Sequence, residues 1–327
     1  MHSFEHIETQ DLGSALNILQ DPRSAALAGG TDLLGELKRG IRTPDRLIDL
    51  KRIISLKGIS MGPGLRLGAL TPLSAVEDHP AVISQWPLLQ QALKCTATLQ
   101  LRNMGTFGGN LCQHPRCWYY RNPLSLCWLK GGEFCWAARG ENHYHTILGK
   151  ALCHAPHPSD LAPALMALQA RIKIASPAGE REVSLEELYQ EPLPEKRRMK
   201  VLEPGEIITE ISVPPPPQGS RGIYLKAMDR KAWAFALISV AAVLVFDGDT
   251  MTEGRLVLGG AATVPWRAKE AESILRGRKF SEGLCGEVAE SALREARPLR
   301  GNQYKIPLAK ALIRRALIQI AGPQGAC

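Results

Sequence analysis

Apolar residues at the start of the chain switch between the two periods that mark strands and helices. Residues 3–7 read as a short strand, and Leu12, Ala15, Leu16 and Leu19 recur at helical spacing. Residues 25–28 are a second short apolar run; it meets Gly29 and Gly30 and passes into a helix-like stretch, 31–39. Residues 46–50 read as a third strand. This alternation predicts a small α/β unit over residues 1–57. A hairpin over 59–68, turning at Pro63-Gly64, opens a second region spanning 58–216. Helical stretches at 72–78 and 84–96, an amphipathic helix at 160–168, and strands at 171–174 and 207–213 belong to it. Residues 111–155 interrupt that region with little periodicity of their own. The four prolines at 214–217, followed by Gln-Gly-Ser, read as a stiff polyproline-type linker and a domain boundary. Beyond it, residues 221–325 show strands at 223–228, 238–246 and 254–258, then helices at 267–276, 284–296 and 306–320. Strands first and helices later predict an α+β domain. There is no internal repeat and no low-complexity tract.

Composition adds bounds. The 327 residues suit two or three domains, and 45% hydrophobic with 22% charged residues is ordinary for a globular chain, not a disordered one. The most apolar run, 232–246, falls short of the roughly 18 residues of a membrane span, so no span is expected. The first twenty residues lack the basic flank and apolar core of an export signal, which points to the cytoplasm or to export alongside a partner. Forty basic against 32 acidic residues raise nucleic acid as a partner. The charge is dispersed, however. Its densest run, 195–200, reads as a solvated polar loop with no interleaved aromatic platform, so no nucleic acid is expected.

Three segments look able to receive a nucleotide. Ala25, Ala26, Leu27 and Ala28 lead into Gly29, Gly30, Thr31, Asp32 and Leu33, where strand gives way to helix. Glycines let backbone approach a phosphate, and the free N–H groups of a helix start favour negative charge. Thr31 can equally be a helix cap in an ordinary turn. It is neither a GxGxxG nor a Walker sequence. The second segment runs Thr106-Phe107-Gly108-Gly109-Asn110, with Thr106 and Asn110 placed to bond phosphate or ribose. In the third, His157-Pro158-Ser159-Asp160, the aspartate can accept from sugar hydroxyls at a helix start. Each segment alone is also a plain turn or cap, but together they suit a large nucleotide cofactor between domains.

Eight cysteines suit a reducing compartment, where clustering means metal or redox chemistry. Cys112, Cys117, Cys127, Cys135 and Cys153 share one segment, while Cys95, Cys285 and Cys327 are scattered. Structural zinc favours tight C-x₂₋₄-C pairs. Here one C-x₄-C pair is followed by wide gaps, which an iron–sulfur cluster tolerates because it gathers thiolates from several loops. Five cysteines for four ligands leave one spare, and the segment's histidines are second-choice ligands. Zinc and iron–sulfur both stay open on spacing alone. No nucleophile–base constellation stands out, so no catalytic residue is named.

With these residues in view, the chain resembles the medium, flavin-binding subunit of the molybdenum hydroxylase (xanthine dehydrogenase) family over essentially its whole length. The segments 25–33 and Thr106, Gly109 and Asn110 resemble the family's two FAD loops; Asp160 falls at its ribose-region aspartate, and Ile207 and Lys226 at further flavin contacts. Residues 258–267 resemble the signature of its C-terminal domain. The resemblance implies an α+β fold: a two-part FAD-binding domain of the PCMH type, then a C-terminal domain of the CO dehydrogenase flavoprotein type. The cysteine segment is similar to the insert of a subgroup, the flavin subunits of 4-hydroxybenzoyl-CoA reductase and a bacterial aldehyde oxidoreductase, which holds an additional [4Fe-4S] cluster. Matched at Arg116-Cys117-Trp118-Tyr119-Tyr120, it implies Cys117, Cys127, Cys135 and Cys153 as ligands and Cys112 as the spare or as a substitute for Cys153. Implied partners are a large molybdopterin-binding subunit, a small subunit with two [2Fe-2S] clusters, a dimer of such heterotrimers, and an external electron carrier such as NAD or a ferredoxin. The alternatives are a zinc-stabilised binding module, or a FAD subunit whose insert holds no cluster.

Overall fold

The computed structural model describes residues 1–322; Cys327 and positions 323–325 of the expected C-terminal domain lie outside the described residues. The first unit is a parallel sheet of β1 (Glu5–Glu8), β2 (Ser24–Leu27) and β3 (Arg46–Asp49) in the order β1-β3-β2. Helices Leu12–Ile18 and Leu33–Lys38 make the crossovers. Adjacent residues of β3 serve opposite faces: Ile48 packs with Ala15 and Leu16, Leu47 with Ala25 and Leu37.

The second sheet is antiparallel. It comprises β4 (Ile59–Met61), β5 (Leu65–Gly68), β6 (Arg171–Ser176), β7 (Gly179–Ser184) and β8 (Ile207–Val213), in the order β4-β5-β8-β6-β7. Two expectations need correction here. The single helix over 84–96 is two, Pro80–Gln85 and Pro87–Lys94. Pro87 supplies no N–H and drives the preceding Trp86 out of helical conformation (φ −124°, ψ 56°). The helix expected to be amphipathic, Leu161–Ala167, is buried on every side. It lies between helix Pro87–Lys94 and the third sheet, so it has no solvent face.

The third sheet holds β9 (Ser220–Ala227), β10 (Ile238–Asp247), β11 (Thr250–Gly259) and β12 (Trp266–Arg267), in the order β12-β11-β10-β9, with β13 (Arg278–Lys279) also paired to β11. Its side chains alternate cleanly. Val240, Ala242, Leu244, Leu256 and Leu258 meet the helices Lys269–Leu275, Glu282–Ala292 and Lys305–Ala321. Tyr224, Ala241, Val243 and Val257 enter the core of the second region instead. The prolines at 214–217 are exposed, as a linker should be, but they separate no independent bodies, because the sheet beyond them folds back into a shared core. No helix among the described residues is long and apolar enough to cross a membrane.

Between helix Phe107–Cys112 and helix Leu161–Ala167 there is no strand, only short turns of helix at Trp118–Arg121, Trp128–Lys130 and Trp136–Ala138.

Candidate functional site

A cavity of about 1240 Å³ opens where the first unit, the second region, the cysteine segment and the third sheet meet. Thr31, Asp32, Gly109, Asn110 and Asp160, all singled out in the sequence, line it. Two glycine loops press together at its edge. A Cβ on Gly29 would stand 1.9 Å from the Met104 carbonyl oxygen, and Gly30 takes φ +72°, where a side chain is strained. Asp32, not Thr31, starts helix Leu33–Lys38, and its side chain makes no capping bond. Thr106 is the cap of the second loop: its Oγ1 accepts from the Gly109 N–H at 3.2 Å. The third loop joins the second through Ser159, whose Oγ donates to Asn110 Oδ1 at 2.6 Å and accepts from the Ala162 N–H at 3.1 Å. Asn110 keeps its amide N–H groups to offer to the cavity.

Asp160 is the buried charge of the wall. Lys226 Nζ donates to its Oδ2 at 2.8 Å and the Tyr224 hydroxyl to its Oδ1 at 2.9 Å. Burial pushes its carboxyl up, and the Lys226 ammonium and the two hydrogen bonds pull against that. Lys226 Nζ also donates to the Cys95 carbonyl at 2.9 Å, so its part in the site is to hold Asp160. Ile207 lies in the core with Ile48, Leu50 and Leu70, off the cavity wall, and Ala25 and Leu27 are likewise buried beneath it.

Asp32 faces the cysteine segment. It accepts from the His114 N–H at 2.7 Å and pairs with Arg116 at 2.9 Å and Arg121 at 2.8 Å. Burial alone would raise this carboxyl, but the two guanidiniums and the amide outweigh it and hold it below the ordinary range. Glu36, also buried, reaches His114 Nδ1 at 3.0 Å and Arg121 at 3.4 Å. The first unit thus grips the segment by ion pairs.

Within the segment, Cys117, Cys135 and Cys153 pack around Trp128 and Met199. Burial pushes the Cys153 thiol up, and the neighbouring Cys135, Cys117 and Cys127 push it further. Burial likewise raises Cys117 to about 11, with Cys127 and Cys135 adding to it. Cys112 stands apart, packed against the core of the second region, with Lys200 as its charged neighbour. Tetrahedral zinc, about 2.3 Å from each sulfur, would bring thiolates to about 3.8 Å from one another. Among the described residues no three of these sulfurs lie within 4.8 Å of one another; the trio that does is Asp32, Glu36 and His114, which the arginines already occupy. The basic run at 195–200 corrects the expectation of a solvated loop. Arg197 donates to the Trp128 and Gly132 carbonyls at 3.0 and 2.7 Å and stacks on Trp128, while Lys200 donates to the Cys112 carbonyl at 2.9 Å. Two of its four cations brace the segment, while Lys196 and Arg198 pair with Glu203.

Residues 2–216 match the model of the FAD binding domain in molybdopterin dehydrogenase, and residues 223–320 that of the CO dehydrogenase flavoprotein C-terminal domain. The chain belongs to the FAD-binding medium subunits of the molybdopterin dehydrogenase family. It is 35% identical over 321 residues, 97% of both chains, to the aldehyde oxidoreductase FAD-binding subunit PaoB of Escherichia coli. It is 29% identical to the carbon monoxide dehydrogenase medium chain of Hydrogenophaga pseudoflava, over 96% of each. A solved carbon monoxide dehydrogenase from that organism superposes with a TM-score of 0.78 at 26% identity, covering 98% of this chain and 97% of that one. As a medium subunit the chain is the flavoprotein component of a multi-subunit oxidoreductase.

The cavity suits the family's FAD. It is larger than the ~300–1,000 Å³ of ordinary small-molecule sites and combines bare glycine backbone, the Asp160 carboxylate and aromatic surface. Much of that aromatic surface was not singled out in the sequence. Trp233 and Phe235 come from the β9–β10 connection, and Tyr144 from the cysteine segment, where it packs on the motif residue Trp118. Positive φ at Trp233 (51°) marks the connection as a built turn, but no local sequence pattern places it at the cavity. Arg116, expected only as a motif residue, lines the cavity and stacks on Phe235, 4.8 Å from its centroid.

Proposed function

We propose that this medium subunit passes electrons between the [2Fe-2S] clusters of a small partner subunit and an external donor or acceptor, with FAD in the cavity and an additional [4Fe-4S] cluster on Cys117, Cys127, Cys135 and Cys153. A large molybdopterin-binding subunit selects the substrate. Bound FAD supplies exchange of one electron at a time with iron–sulfur centres and of two with a soluble partner. A third iron–sulfur cluster, held by cysteines, would supply one-electron storage beside it.

The chain's own part is positional. Asp160 presents a fixed acceptor for ribose hydroxyls, oriented by Lys226 and Tyr224. The glycine loops let backbone N–H groups face phosphate, and Arg39 stands on the same wall as a cation. No side chain is required as a general acid or base. The observation that carries the cluster reading is the gathering of Cys117, Cys127, Cys135 and Cys153 as mutual neighbours from separate turns of the segment, with Cys117 also on the cavity wall.

The test is the purified complex. It should show flavin absorbance on a broad iron–sulfur shoulder that reductant bleaches, with eight irons per heterotrimer. Cys127→Ser with Cys135→Ser should take four of them and leave FAD in place. Eight irons persisting in that variant would overturn the ligand set.

A further inference from the structure

His145 sits on the cavity wall beside Cys117, yet it is only 2% exposed. Its Nε2 lies 3.2 Å from the Cys117 sulfur, and its Nδ1 is buried with no partner. Those two facts choose a tautomer. A neutral imidazole carries one N–H. Placed on Nδ1, that proton would be a buried donor with nothing to bond, and the Nε2 lone pair would face sulfur. Placed on Nε2, it is donated to sulfur, and only an acceptor goes unpaired.

The ring does not choose its own place; the far end of the chain does. Asn302 and Lys305, both 0% exposed, stand at the start of helix Lys305–Ala321. Asn302 Nδ2 donates to the His145 and Thr146 carbonyls at 2.9 and 3.0 Å. Lys305 Nζ donates to the carbonyls of Tyr144, His145 and Gly260 at 3.1, 3.0 and 2.9 Å. Burying an amide and an ammonium is costly unless every donor is used, and four of these five bonds fall on one three-residue stretch of a loop, Tyr144–Thr146. The expenditure makes sense if the position of His145 matters.

We propose that His145 is a positioning residue whose Nε2–H donates to the Cys117 sulfur and so raises the reduction potential of the cluster that Cys117 holds. The inference rests on the cluster reading above. When the cluster takes up an electron, no bond forms or breaks; its sulfurs gain negative charge, and a hydrogen bond to one of them stabilises that state. Cys117 and His145 are also the points where the thiol cluster and the flavin cavity touch, so the same bond sets the potential at the wall the two cofactors share.

The experiment is a potentiometric titration of the intact complex followed by EPR, on wild type, His145→Leu and His145→Gln. Leucine should shift the cluster's one-electron equilibrium about tenfold toward the oxidised form, a fall of about 59 mV, and glutamine, which keeps an N–H, should recover part of it. Eight irons with an unchanged potential in His145→Leu would overturn this inference and leave the cluster reading standing. Only four irons in the wild type would remove the cluster reading, and this inference with it. Should the leucine variant lose iron, pulsed EPR of reduced wild type grown on ¹⁵N-histidine decides. A weak nitrogen coupling, absent from His145→Gln, supports the bond; no coupling, or the strong coupling of a direct ligand, overturns it.

Discussion

The two walls of the cofactor cavity are made in opposite ways. The glycine-loop wall is a product of regular structure: strand ends, helix starts and a buried Asp160–Lys226 pair that ties the third loop to β9. The cysteine wall has almost no backbone ladder. It is held by arginines from its flank, by Arg197 and Lys200 from the 195–200 run, and by Asn302 and Lys305 from the C-terminal helix. The first wall can stand before its ligand arrives. The second gathers four thiols, three of which, Cys117, Cys127 and Cys153, burial pushes away from the thiolate form a ligand needs, so on the proposed function its order rests on a metal that stabilises thiolate.

The sharpest way to break this contrast is to remove two of the proposed cluster ligands from the second wall. In Cys127→Ser/Cys135→Ser, limited proteolysis should cut within 113–155 at least about tenfold faster than in wild type, because local opening costs less once coordination is gone. Cleavage elsewhere and flavin content should hold. If cleavage spread through the glycine loops at the same rate, the two walls would be one cooperative unit.

Next in size is the buried pair of the first wall. Lys226→Met leaves Asp160 as a buried carboxylate with only the Tyr224 hydroxyl to answer it, at a cost of about 3–5 kcal/mol. Thermal unfolding of the complex should show it as early flavin release. Adding Asp160→Asn should recover much of the loss, since it removes the unpaired charge. A double variant no better than the single would mean that Lys226 acts through the Cys95 carbonyl instead.

Gly29→Ala should cost somewhat less, about 1–3 kcal/mol, because the loops must part to admit a methyl group against the Met104 carbonyl. Flavin affinity should fall with stability, whereas iron content should not change. Loss of iron in this variant would couple the walls.

How much of this was legible in the sequence follows the same division. The glycine loops, Asp160 and the strand–helix alternation of the first unit could be read because turn chemistry and apolar periods are local. Strand β7 was missed: its Glu180, Arg181 and Glu182 are exposed and show no alternation, although Ser184 and Glu187 form a capping box that marks the helix Leu185–Leu188 after it. The cysteines were legible as a set by count, but what braces them was not. Residues 195–200 look like solvent-facing charge, and only the fold reveals that Arg197 and Lys200 find carbonyls more than 60 positions away. The aromatic wall at 229–236 and the clamp on His145 are longer-range still. Contacts between distant segments leave no period in either one.

The smallest effect is on pH dependence, and it belongs to the first wall. His157 is 5% exposed; its Nδ1 accepts from the Ser159 N–H at 3.4 Å, and its ring stands edge-on to Tyr189 with centroids 4.4 Å apart. Burial first, and the Lys200 charge second, push its pKa down to about 3 from an ordinary 6.5. The fold therefore keeps the ring neutral while the unfolded chain takes up a proton below about pH 6.5. Its contribution is intact above that pH and is lost as the pH falls toward 3, at up to about 1.4 kcal/mol per pH unit. Denaturant unfolding of wild type and His157→Gln between pH 6.5 and 4.5 isolates this group, because the remaining titrations are common to both. The wild type should lose stability faster by close to one proton's slope. Parallel curves would mean that the ring takes up its proton as readily in the fold as in the unfolded chain, and that burial does not hold it neutral.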